Sequence, residues 1–138
     1  MGLEISHGAW QGAYSAFNRL RQAICKAAGG HFPPHPKGAT LPNGEPMLPD
    51  YYYLDDEYEA AHPGLSAFLR SNDCGGVEFP PEVAAKIADD LELLLPALSE
   101  AGKDNEYLER RGGYHGATKR YIEGRREAAA KGEPLVYW

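Results

Sequence analysis

Cysteine is scarce. Cys25 and Cys74 are the two thiols in 138 residues, too few for a disulfide scaffold in a chain long enough to build a core without one. Reduced thiols are expected. Long apolar runs are missing too: none approaches the roughly 20 residues of a spanning helix, so no membrane partner is expected. The opening Met-Gly-Leu-Glu has neither the basic n-region nor the apolar h-region of a secretory leader. The expectation is a soluble, cytoplasmic chain. Positive charge is in short supply, with 14 Lys and Arg against 20 Asp and Glu and a net charge of -6. That balance argues against a broad face for duplex nucleic acid, because neutralising phosphates takes clustered cations. A local basic site remains compatible with it. Neither a P-loop nor a dinucleotide fingerprint occurs, and no cofactor is expected.

What is present reads as one globular domain over residues 1–138, since the hydrophobic fraction of 43% and charged fraction of 25% match ordinary folded chains. Glycine and proline crowd into 29–49 (GGHFPPHPKGATLPNGEPMLP) without hydrophobic period, marking a loop excursion that is either a lid or an interface arm. Directly after it, Tyr51, Tyr52, Tyr53 and Tyr58 lie among Asp50, Asp55, Asp56, Glu57 and Glu59, an acidic, aromatic and partly exposed stretch.

Hydrophobic spacing predicts three helices. The first spans about Gly12–Ala28, with Ala13, Phe17, Leu20 and Ile24 on one face and Gly29 as its stop. The second opens at Pro80-Pro81-Glu82 and runs through Val83, Ile87, Leu91, Leu94 and Leu95 to the Pro96–Leu98 region. The third follows the turn Arg110-Arg111-Gly112-Gly113 and continues to Gly132. Short strands are predicted at Leu3–Ser6, within Leu65–Arg70 and at Leu135–Trp138. The expected class is α+β, a small β-sheet with about three α-helices packed on it.

Two His-Gly-Ala segments, His7-Gly8-Ala9 and His115-Gly116-Ala117, lie near predicted helix N-termini, where unpaired N–H groups favour an anion. Ser6, His7, Trp10, Gln11, Tyr14 and Ser15 add hydrogen-bonding groups and aromatic faces around the first, although Trp10, Tyr14 and Phe17 at steps of four and three also fit a core stripe. Around the second, residues 103–131 carry eight Lys or Arg against five Asp or Glu, a local charge of +3 that leaves -9 on the rest. Such asymmetry suits a confined site for an anionic small molecule. A solvated helix face laced with ion pairs accounts for the same charges. Lys119 and Arg120, in the opening turns, are the first choices for a phosphate. His31 and His35 sit in the proline-rich loop without matching ligands, so no metal is expected there. Ser71–Gly76 reads as a tight turn, within which Asp73 is either a turn former or a general acid.

The block MGLEISHGAWQGAYSAF resembles a family of small, largely uncharacterised phage and prophage proteins that open Met-Gly-Leu, Ser-His, an aromatic and Gly-Ala-Tyr-Ser-Ala-Phe. The likeness extends to the Asp73-Cys74 turn, PPEVAAKIADDLELLLPAL and YIEGRREAAAKGEPLVYW, about half the chain, leaving 31–64 unmatched. In that pattern the turn reads His-Ser-Asp-Cys-Asp-Gly, whereas Ser71, Asn72 and Gly75 stand here in place of the His, the Ser and the second Asp. Two ligand or catalytic groups are thereby lost. The resemblance implies an anti-defence context and a binder that sequesters a cyclic nucleotide or cyclic ADP-ribose type of immune signal without turnover in the host cytoplasm. Arg111, Lys119 and Arg120 would supply charge, Trp10 and Tyr14 would stack a base, and His7, Gln11 and His115 would donate hydrogen bonds, with homo-oligomers sharing the sites. The alternatives are a small hydrolase or phosphodiesterase using His7, Asp73 and His115, and an acidic inhibitor acting through Tyr51–Glu59.

Overall fold

The computed structural model describes residues 2–41, 44, 46–49, 51–71, 78–98, 106–110 and 112–137, with the side chains of 14, 106 and 107 outside the description. Strand β1 (Gly2–Ile5) pairs antiparallel with β2 (Trp10–Ala13), which leads straight into helix α1 (Tyr14–Ala27). The hairpin between them turns at Ser6–Ala9, where His7 and Gly8 have φ of 59° and 66° and the Ala9 amide donates to the Ser6 carbonyl. Two successive positive φ values mark the tight hairpin turn whose twist matches that of paired strands. The first His-Gly-Ala segment is therefore a hairpin tip and not a helix N-terminus, which corrects the expectation from sequence.

Helices α2 (Asp56–Ala61) and α3 (Pro63–Leu69) follow the glycine- and proline-rich excursion. The strand predicted within Leu65–Arg70 is this helix. Pro63 presets its first turn, and Leu65, Phe68 and Leu69 bury one face at helical rather than alternating spacing. Asp90, itself buried, accepts a hydrogen bond from the Leu65 amide at 3.2 Å, so the cap of α3 is supplied from another helix. At the other end, the buried Arg21 donates Nε and Nη2 to the Leu69 carbonyl and Nη1 to Asn18 Oδ1. Both ends of a seven-residue helix are thus closed by tertiary contacts.

Strand β3 (Glu78–Phe79) leads into helix α4 (Pro81–Glu92), a 3₁₀ turn at Leu95–Leu98, and helices α5 (Glu106–Arg110) and α6 (Gly113–Ala130); β4 (Leu135–Val136) returns to pair with β3. The sheet is divided into two antiparallel pairs, linked by the Ile5–Tyr137 bridge and by Ser6, whose N–H donates to the Val136 carbonyl and whose Oγ accepts from the Val136 amide. One contiguous core runs from Leu3 to Tyr137 and centres on Phe17, which meets Trp10, Phe68 and Tyr137 edge to face. The fold class is α+β, as the sequence predicts. The excursion over 29–49 is closed at its base, because His31 and Tyr53 exchange both backbone hydrogen bonds at 2.9 Å.

Candidate functional site

The tip of the β1–β2 hairpin lies on the middle of α6. Gly124 makes the approach possible, since a Cβ there would stand 2.7 Å from the Cα and Cβ of Ala9. One turn earlier on the helix, the Arg120 guanidinium reaches under Gly8, whose own Cβ would meet Nη2 at 2.5 Å. Between these elements and the end of α5 opens a cleft of about 510 Å³ lined by Gly8, Trp10, Gln11, Arg110 and Arg120, within the size range of small-molecule sites. Among the described residues its lining holds two guanidiniums and no carboxylate. Arg120 also faces Glu123 at 3.5 Å with both side chains 55% exposed, a pair worth about 0–1 kcal/mol and readily given up for a better anion.

Trp10, Gln11 and Arg120, all anticipated from sequence, thus meet in one cleft. Trp10 is only 2% exposed and packs at 5.2 Å from Phe17; it is a core residue too deeply buried to offer a face on which a base stacks. His7 points away, with Nδ1 at 3.0 Å from Ser6 Oγ and Nε2 at 3.5 Å from Glu133 Oε1. His115 is in the first turn of α6, about 14 Å along the axis from Gly124 at ~1.5 Å per residue, and neither it nor the exposed Lys119 lines the cleft. An acid–base pair must reach the same substrate atom group within about 3 Å, so His7 and His115 do not form one. Asp73 and Arg111 lie outside the described residues, as does the side chain of Tyr14. Among the described residues no group of three His, Cys, Asp or Glu is placed to hold a metal ion, and no helix is long and apolar enough to cross a membrane.

The positive charge of the C-terminal third is less available than its count suggests. Arg126 donates to Glu92 and Asp89 of α4, and Lys131 pairs with Glu127. The Glu92 and Glu127 carboxyls are held below their usual range by those hydrogen bonds. Arg125 is wholly buried. Its guanidinium lies over the rings of Tyr121 at 4.4 Å and Phe79 at 4.8 Å, and Nη2 donates to the Tyr137 hydroxyl at 2.9 Å. Burial pulls its pKa down to about 10. Tyr137 also meets the hydroxyls of Tyr121 and Ser71. Nothing in the spacing of these residues marks them, because Arg125 reads as one more charge on a polar helix and Tyr137 as a terminal aromatic.

No protein-family model, curated protein or solved structure matches the chain.

Proposed function

We propose that the protein binds and sequesters a small anionic, nucleotide-derived molecule without turning it over. The carrying observation is the cleft between the hairpin tip and α6, where Arg110 and Arg120 stand together and no carboxylate is among the described lining residues, in a chain of net charge -6. Arginine forks suit phosphate oxygens, and Gly8 leaves room for the Arg120 guanidinium beside the hairpin backbone. The N-terminal resemblance to phage proteins supports the context, an anti-defence sponge for an immune signal of cyclic nucleotide or cyclic ADP-ribose type. Homo-oligomers sharing such sites belong to the same proposal.

The test is a thermal-shift screen against cyclic dinucleotides, cyclic ADP-ribose isomers and ordinary nucleotides, with each hit recovered under denaturing conditions and chromatographed. A ligand that stabilises the protein and returns intact supports sequestration; conversion to product would establish an enzyme instead. Arg120→Ala is expected to lower affinity at least tenfold with an unchanged Tm, whereas Lys119→Ala, whose side chain is exposed and does not line the cleft, leaves it within twofold. A second reading rests on the exposure of Tyr51 (45%) and Tyr53 (55%) beside an acidic helix, a surface for a basic protein partner. Asp56→Asn with Glu57→Gln tests it and leaves Asp55, whose side chain accepts from the Tyr58 amide as the cap of α2, in place.

A further inference from the structure

A larger cavity, about 940 Å³, runs along α1 and shares no lining residue with the hairpin cleft. Arg19, Gln22 and Lys26 form one wall at helical steps of three and four, with Ala23 and Ala27 leaving room beside them. His31 and Phe32 form the facing wall, which is firmly held. His31 is pinned by its paired backbone bonds to Tyr53 and rests on the Tyr53 ring at 5.1 Å. Behind Phe32 stand Tyr52 at 5.6 Å and the Arg21 guanidinium at 5.1 Å. Leu98 and Tyr114 complete the space.

Among the described residues, two cations, an amide and three aromatic side chains therefore line one cavity, and no carboxylate is among them. Lys26 is exposed and makes no ion pair among the described residues. The spacing of Arg19 and Lys26 puts their backbones about 10 Å apart along the helix, which suits an extended anion better than a compact oxyanion. Aromatic walls bind flat rings by stacking, worth about 1–3 kcal/mol per base. We propose that this groove is a second ligand site, for a nucleoside monophosphate or a larger molecule built on one, with the ring between the His31–Phe32 wall and Tyr114 and the phosphate on Lys26 and Arg19. The proposal stands on residues distinct from those of the hairpin cleft and does not depend on that reading.

The experiment is calorimetric titration of the full chain with the four ribonucleoside 5′-monophosphates, adenosine and inorganic phosphate, with amide chemical-shift mapping. At least one monophosphate is expected to saturate, to shift α1 and residues 30–32, and to bind at least tenfold more tightly than either adenosine or phosphate. Lys26→Glu, a charge reversal at an exposed position in the last turn of α1, is expected to weaken it tenfold or more while the protein stays folded with only a small fall in Tm, and His31→Ala at least threefold. The proposal is overturned if no monophosphate saturates, if Lys26→Glu binds like the parent, if phosphate alone binds as well, or if the shifts map to the hairpin tip.

Discussion

Tyr137 is the residue on which the buried polar chemistry converges. Ser71 Oγ donates its proton to the Phe68 carbonyl, so it accepts from Tyr137, leaving the Tyr137 oxygen to accept from Arg125 and from Tyr121. The proton order is dictated by counting donors, since each hydroxyl has one. Among the described residues Arg125 has no carboxylate partner, its Nε and Nη1 make no hydrogen bond, and the Tyr137 hydroxyl is its one acceptor. Tyr137→Phe strands a buried cation and is expected to lower unfolding free energy by about 1–3 kcal/mol. Arg125→Met removes the cation together with its unmet donors and should cost less. Urea denaturation of the two variants decides the point: a smaller loss for Tyr137→Phe would mean that the hydroxyl does not hold the guanidinium.

Among the elements, α6 depends most on a missing side chain. Alanine is the better helix former by about 1 kcal/mol, yet at position 124 its methyl would press into Ala9. Gly124→Ala is therefore expected to lower Tm and to move the hairpin tip off Arg120, weakening anion binding as well. A raised Tm would show that the contact yields. The three long helices are legible in the sequence because each carries an apolar stripe of two turns or more: Phe17, Leu20 and Ile24 in α1, Ala84, Ile87, Ala88 and Leu91 in α4, and Ala117, Tyr121 and Ala128 in α6 are all buried. Helix α3 is not legible. Seven residues hold less than two turns of period, and its caps come from Asp90 and Arg21, at sequence distances of 25 and 48 from the groups they bind.

Across the whole molecule, the single core makes Cys25 a reporter of global unfolding. It is fully buried, and burial pushes its thiol from 9.0 up to about 11. The native state holds this proton more tightly than the unfolded chain, so its contribution to stability is complete below pH 9 and is lost as pH rises toward 11. Alkylation of Cys25 at pH 8, followed by peptide mass spectrometry, is expected to be slow in buffer and to accelerate with urea along the unfolding curve. Rapid labelling of the native protein would instead reveal local opening of α1.

The α+β class, the three main helices and the basic character of the C-terminal third follow from periodicity and composition, which are local properties of the chain. The same patterns predict Trp10, Gln11 and Arg120 as binding residues, because glycine, aromatics and arginine near a turn are visible without a fold. Only tertiary structure decides which of those groups face solvent together. Packing turns Trp10 into core and Arg125 into a buried cation, ties Arg126 to α4, and sends His7 toward Glu133. It also assembles the groove along α1 from residues as far apart as Arg19 and Tyr114. Distance along the chain carries no signal for such contacts, since they are set by how helices with two or three competing faces pack against one another.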